Sequence, residues 1–469
     1  MSAASTRKRV MEQGAITRVA PGDRHGRPWH LFTLWFASNV QITGLVTGAL
    51  SITLGLDLPW AIASILIGNL VGGLFMAYHS VQGAKLGIPQ MIQSRAQFGF
   101  LGATVPVAVV VAMYLGFSVE GGVVNGQAVQ SWLHIPYSSA IIACNLVMLI
   151  VAMVGYKLIH AASRIISIIS AVLFLMLFVE LWLHLPAHYT GTSVNLGTVL
   201  LVISIFASWQ ITWAPYVSDY SRYLPEETPS RSTFLWTYLG SAAGASWVMV
   251  IGAFAAVVGG DALSSDSIGF LAHRFPAISG LIIAALLVGG VPGSAQSPYG
   301  AFLTALSGVS ASGRLRSAPM ARTLFVVGFT SVSTLLSILA GAHVMSLFQN
   351  VTLFTLYLLV PWTAINLTDY YLVRRGRYDI PALFERSGRY GLVNWGTLLV
   401  YSASVAVEVP FINTSVYVGP IAAHLGAADV SWIVGLVFGT AAYLLLATRG
   451  HRRTAPDRTA PAGVPARQR

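Results

Sequence analysis

Ser208-Trp209-Gln210-Ile211-Thr212-Trp213-Ala214-Pro215 interrupts an apolar stretch at 198–221, and its reading decides the fold. A stretch of about 20 apolar residues crosses a hydrocarbon core of roughly 30 Å. Inside that core the backbone must satisfy its own hydrogen bonds, so the stretch reads as a helix. Pro215 has no N–H, and its ring collides with the carbonyl four residues back, so the helix is predicted to kink or break there. Irregular backbone at that depth is tolerated only around a buried cavity. Two more apolar stretches carry such punctuation. One reads Phe36-Ala37-Ser38-Asn39-Val40-Gln41-Ile42-Thr43-Gly44, and the other Gly289-Gly290-Val291-Pro292-Gly293-Ser294-Ala295-Gln296-Ser297-Pro298.

Around these segments the chain holds twelve candidate spans, at 29–54, 61–79, 100–131, 137–156, 163–184, 198–221, 232–258, 277–308, 323–341, 344–372, 393–415 and 429–448. The fold class expected is an all-α polytopic membrane protein. If spans one to five and six to ten are two repeats, spans one and six are equivalent, and both carry polar interruptions near their middles. That is the mark of an inverted-repeat transporter with its site at the bilayer midplane.

Composition agrees. Hydrophobic residues make up 55% of the chain, charged residues 9%, and mean hydropathy is +0.69. Alternate threading with the N-terminus inside puts every Lys and Arg except Arg274 on the cytoplasmic side. Positive loops resist translocation, so this asymmetry orients the protein as a multi-pass protein of the cell membrane with both termini cytoplasmic. The net charge of +11 then belongs to loops facing an anionic leaflet, and no nucleic-acid partner is expected. The single cysteine, Cys144, forbids an intrachain disulfide. No cleavable signal peptide is expected, because residues 1–28 are polar. Those residues and the tail 449–469 are expected to be disordered, flanking one transmembrane domain at 29–448. No obligatory protein partner, metal or cofactor is indicated.

Several motifs resemble those of the nucleobase–cation symporters, in the purine/cytosine permease branch. Phe36-Ala37-Ser38-Asn39 with Gly48-Ala49-Leu50 is similar to that family's first helix. Gly83-Ala84-Lys85-Leu86-Gly87-Ile88-Pro89-Gln90 through Arg95, with Phe98-Gly99, resembles its loop after the second. Ser218-Asp219-Tyr220-Ser221-Arg222-Tyr223-Leu224-Pro225 and Asn366-Leu367-Thr368-Asp369-Tyr370-Tyr371 through Asp379 resemble the ends of its sixth and tenth. The resemblance implies a LeuT-like fold of two inverted five-helix repeats, here about 29–184 and 198–372, and two extra helices at about 393–448. It also implies uptake of a flat base-like ring with H⁺ or Na⁺.

A base presents two π-faces and an edge of donors and acceptors, so its site needs aromatic plates and a few amides or hydroxyls. Phe117 stands where the family usually has a stacking tryptophan, a departure that bears on which ring is bound. Glu120 is the one acidic residue well inside a span, with no Lys or Arg at its depth. Such a residue is functional by default, to bind a base N–H or to carry the coupling proton. Trp209 or Trp213 would be the second plate, and Gln210 an edge reader. Asn39 and Gln41 on span one, and Ser294, Gln296 and Ser297 on span eight, complete the candidate substrate set. The candidate cation set is Ser38, Gln41, Glu120 and Ser294. Asp219 with Arg222, and Asp369 with Arg374 and Arg375, are expected at an inner gate or as helix-end anchors. The function expected is import of a nucleobase or related heterocycle by alternating access. The alternatives are a LeuT-like carrier for an amino acid, hydantoin, allantoin or vitamin ring, and a non-transporting membrane sensor. An enzyme is not expected, since His-Glu-x-x-His and Gly-x-Ser-x-Gly are both missing.

Overall fold

The structure, a computed structural model, describes residues 16–154, 156–186, 194–260, 263, 269–270, 297–308, 319–341 and 344–454. Nearly all of it is helix. Both predicted interruptions that fall among these residues are real breaks. The first span divides into α1 (His30–Asn39) and α2 (Ile42–Thr53). Between them Val40 and Gln41 leave helical geometry, Gln41 being fully extended at φ −145° and ψ 157°. After α3 (Leu58–Leu86), α4 (Thr104–Leu133), α5 (Tyr137–Val154) and α6 (Tyr156–Leu183), the sixth span divides into α7 (Leu196–Ile211) and α8 (Ala214–Ser221). α7 stops at Ile211, whose carbonyl the Pro215 ring would strike in a continuous helix. Pro215 instead sits in the first turn of α8, where its missing N–H costs nothing. Thr212 Oγ1 donates to the Trp209 carbonyl at 2.7 Å and takes up one of the acceptors left by the break.

The chain continues through α9 (Ser230–Gly259), a helical segment at 297–308, α10 (Pro319–Ala340), α11 (Val344–Thr368), α12 (Trp395–Glu408) and α13 (Ser431–Thr454). Among the described residues seven helices are long and apolar enough to cross a membrane. The span expected at 277–308 is described only from 297, so its Gly289–Gln296 interruption lies outside the described residues.

Two bodies form around the breaks. α1, α2, α3, α7 and α9 pack as one bundle at close range. A Cβ on Gly48 of α2 would fall on the Met249 backbone of α9, and one on Gly72 of α3 would fall on the Ala207 backbone of α7. Only glycine allows either approach, the small-residue contact expected where lipid cannot drive helices together. The other body holds α4 against α5, α10 and α11. Ser118 of α4 bonds Ser333 of α10 at 2.9 Å, and Asn145 of α5 donates to Thr334 of α10, also at 2.9 Å. α11 touches both bodies, since its Thr352 carbonyl accepts from Ser208 Oγ of α7 at 2.5 Å.

The expectation of disorder over 1–28 does not extend to residues 16–28. Val19 N–H donates to the Gly87 carbonyl at 2.9 Å, and buried Arg24 donates to the Ala84 carbonyl at 3.0 Å. Arg24 thus supplies a donor to the end of α3, and the arm also meets the end of α8, where His25 N–H donates to the Tyr223 carbonyl at 2.6 Å and Arg222 donates to the Thr17 carbonyl at 3.3 Å.

Candidate functional site

The two breaks meet. Trp209 Nε1, in the last turn of α7, donates to Asn39 Oδ1, the last residue of α1, at 2.7 Å. The Asn39 amide nitrogen donates to the Trp35 carbonyl at 2.7 Å and to Ser241 Oγ of α9 at 3.1 Å. Ser241 Oγ donates to Gln210 Oε1 at 2.6 Å, and Gln210 Nε2 donates to Asn69 Oδ1 of α3 at 2.8 Å. Asn39, Asn69, Gln210 and Ser241 are fully buried. They form a continuous polar thread through the bundle and clamp both breaks in place. Gln210 and Asn39 therefore spend their amides on the bundle. At a break, the direction of a side chain is set by which neighbour takes it, and periodicity does not reveal that.

On the other side of Trp209 lies a row of rings. Phe117 of α4 meets Trp209 edge to face, with centroids 6.2 Å apart at 79°. Trp213 stands 6.4 Å from Trp209, Tyr216 5.6 Å from Trp213, and Tyr114 of α4 5.3 Å from Tyr216. Phe117 and Trp213 are half-buried, and Trp209 is buried. The indole N–H of Trp213 is buried and has no hydrogen-bond partner among the described residues. The aromatic plates expected at 117, 209 and 213 are thus brought together at one place, between α4 and the sixth-span break.

Glu120 lies one turn along α4 from Phe117 and shares its face by helical spacing. It is fully buried, and neither carboxyl oxygen has a partner among the described residues. The opposite face of α4 is engaged with α10: the Val119 carbonyl accepts from Ser337 at 3.1 Å. Gln41 is half-buried in the extended link, and its carbonyl already accepts from the Gly44 and Leu45 N–H groups at 3.1 and 3.3 Å. Ser38 Oγ donates to the Leu34 carbonyl at 2.8 Å. Ser297 is buried at the start of segment 297–308, which reaches the aromatic row through Gly300, where a Cβ would stand 2.8 Å from the Tyr114 hydroxyl. Ser294 and Gln296 lie outside the described residues. No cluster of three or more His, Cys, Asp or Glu suited to a metal occurs among the described residues.

At the basic end, Asp369 is a hub. Arg374 Nε reaches it at 2.9 Å, Gln97 Nε2 at 2.7 Å, and the Tyr378 and Tyr443 hydroxyls at 2.7 and 2.9 Å. It begins a π-helical turn, Asp369–Val373, that ends α11. Asp219 behaves differently: its carboxylate accepts from the Gln90 N–H at 3.1 Å, while Arg222 Nε reaches only the Asp219 carbonyl, at 3.2 Å. Arg95, pushed down to about 10 by burial, donates to the carbonyls of Leu383 and Ser307 at 3.0 and 2.5 Å and ties the loop after α3 to segment 297–308. The sequence gives no sign of the His79–Trp362 stack, with centroids 4.7 Å apart at 7°, because His79 reads only as a histidine at the end of a span and Trp362 lies 283 residues away.

Comparison with known proteins places this geometry. Residues 18–435 match the family described as permease for cytosine/purines, uracil, thiamine and allantoin. YxlA of Bacillus subtilis, whose purine-cytosine permease designation is provisional, is 39% identical over 438 residues, covering 93% of this chain and 96% of that one. The purine-cytosine permease fcyB of Emericella nidulans is 26% identical over 462 residues, covering 93% and 88%. Mhp1, a nucleobase-cation-symport-1 family transporter solved in a closed conformation with bromovinylhydantoin bound, superposes with a TM-score of 0.73. The superposition covers 94% of this chain and 96% of Mhp1 at 18% identity, so the fold is shared.

Proposed function

Because the chain belongs to the family of permeases for cytosine/purines, uracil, thiamine and allantoin, we propose that it is a secondary symporter that imports a flat, hydrogen-bonding heterocycle by alternating access. The observation that carries this reading is the joining of the two helix breaks through Trp209 and Asn39, beside a row of aromatic rings. The ring bound by Mhp1 is of the same chemical kind, and the relatives' names point to bases.

In this reading Trp209 is the first plate, its plane held by Asn39, and Phe117 is the second. Stacking on such plates is worth about 1–3 kcal/mol per base. Trp213 Nε1 and Gln41 face the edge of the ring, with Ser294, Gln296 and Ser297 completing it from the eighth span. Asn39 and Gln210 are positioning residues that keep the breaks open. Glu120 carries the coupling proton, because a carboxyl so deep and without a cation must bind a proton or a ligand. One charge crossing 100 mV supplies about 2.3 kcal/mol. The orientation proposed has the basic end and both termini in the cytoplasm. The bundle of spans one, two, six and seven, from the repeats 29–184 and 198–372, rocks against the rest, and the helices at 393–448 stand outside the repeats. Asp369 and Arg374 hold the inner side.

Uptake into proteoliposomes tests this reading. Labelled cytosine, adenine, hydantoin or allantoin is expected to accumulate under a proton gradient. No accumulation of any of them under either a H⁺ or a Na⁺ gradient would sink it. Accumulation driven by Na⁺ alone moves the coupling role to Ser38, Gln41 and Ser294.

A further inference from the structure

At the basic end of α11 a recess of about 420 Å³ is lined by Leu372, Val373, Arg374, Arg375, Arg377 and Arg389. Four arginines and no carboxylate line it. A neighbouring cavity of about 830 Å³ shares Arg377 and Arg389 and is of mixed charge, with Arg18 and Lys85 beside Glu226 and Asp379, so the purely basic lining belongs to the smaller recess. Arg375, Arg377 and Arg389 are exposed, and among the described residues no acid pairs with any of them. Arg375 also holds a left-handed backbone, φ +50°, which a non-glycine residue adopts at a cost. Arg374 is neutralised by Asp369, and an anion in the recess would offset the charge of the other three.

The lining also tells where the anion comes from. Leu372 ends a membrane-spanning helix and is 54% exposed, so the recess has an apolar wall that faces lipid. The helix that follows opens on Trp395, 75% exposed, in the manner of a tryptophan at a membrane interface. We propose that this recess binds the headgroup phosphate of an anionic phospholipid. The Arg375, Arg377 and Arg389 forks take the phosphate oxygens, and the acyl chain runs along Leu372. Arginine forks match phosphate in charge and geometry, and basic pockets at the inner leaflet suit such headgroups. A soluble phosphate would gain nothing from Leu372. Arg374 lines the recess and also holds Asp369, so an occupied site touches the hub at the inner end of the bundle.

The test is native mass spectrometry of the full chain in detergent with equal phosphatidylglycerol and phosphatidylcholine. The protein is expected to retain phosphatidylglycerol in preference. The Arg375→Gln/Arg377→Gln/Arg389→Gln variant is expected to bind it on the order of 100-fold more weakly, about fivefold per arginine. Arg386→Gln, an exposed arginine outside the recess, is expected to leave retention unchanged. Equal retention of the two lipids, undiminished binding by the triple variant, or an equal loss in Arg386→Gln overturns the proposal. So does inorganic phosphate if it displaces the lipid at low millimolar concentration and binds alone. Should the triple variant fail to run as a single species in size exclusion, the single Arg375→Gln and Arg377→Gln variants carry the same test at about fivefold each.

Discussion

Asp369 and Glu120 are both fully buried carboxyls in membrane-spanning helices, and they differ in everything that surrounds them. Asp369 receives a guanidinium, an amide and two phenol hydroxyls at 2.7–2.9 Å. Glu120 receives nothing from the described residues. Burying an unpaired charge costs several kcal/mol, so a chain retains such a group only where something else completes it. Asp369 is completed within the protein. In the proposed mechanism Glu120 is completed by what passes through: a proton or the polar edge of a substrate.

The largest expected effect breaks the first half of this comparison. Asp369→Asn leaves Arg374 without its counterion and weakens three further bonds, and is expected to cost about 3 kcal/mol of stability. A fall in the thermal unfolding temperature of the detergent-purified protein measures it. An unchanged unfolding temperature would show that the hub is idle and that dense bonding around a buried acid says nothing here about its role.

The second half is tested by Glu120→Gln. With no partner to lose, the variant is expected to change stability by less than about 1 kcal/mol. Its effect should fall on transport instead. Proton-coupled uptake rises as the outside pH falls, because the inward proton gradient and the protonated fraction of the carrier grow together. The Gln variant is expected to show a flat profile. If it keeps the wild-type pH dependence, the proton travels elsewhere, and the unpaired carboxyl of Glu120 is left to meet the polar edge of a substrate.

How far each member of this pair could be read from the sequence differs for physical reasons. Glu120 stood out because a lone carboxylate in an apolar run is costly anywhere, whatever its neighbours. The breaks at 40–41 and 212–213 were equally legible, since Pro215 forbids a continuous helix and Ser38, Asn39 and Gln41 crowd one span with polar groups. The Asp369 hub was legible only as charge near charge. Tyr378 is only nine residues away, but Gln97 and Tyr443 come from distant parts of the chain, and no local pattern brings them to Asp369. The same limit explains Gln210, which looked like an edge reader and is bonded to Asn69 and Ser241 inside the bundle. The arm at 16–28 reads as disorder in the sequence because the carbonyls it bonds, at the end of α3 and just beyond α8, are brought to it only by the fold.

A smaller effect separates the thread from the site beside it. Trp209→Phe keeps an aromatic plate but removes the donor to Asn39 Oδ1, leaving a buried acceptor unpaired at about 1–2 kcal/mol. If Trp209 is both plate and clamp, apparent affinity for the base is expected to fall up to about tenfold, read as KM for uptake. If only stacking matters, KM holds and the unfolding temperature alone drops.

The smallest change is Phe117→Trp. Phe117 is half-buried and meets Trp209 edge to face at 6.2 Å, while the Trp209–Asn39 bond is made by the indole nitrogen and does not involve Phe117. It lies on the face of α4 that carries Glu120, so a wider plate here enlarges the surface on which a base lies next to the unpaired carboxyl. A gain in stacking of about 0.5–1 kcal/mol corresponds to at most about a fivefold rise in affinity. The gain is expected to be larger for two-ring purines than for one-ring pyrimidines, because only the larger base extends over the added ring. Competition of adenine against cytosine uptake in the variant and its parent reads this ratio. A ratio that does not move would place the base away from Phe117, and Glu120 would then need a partner other than the substrate edge.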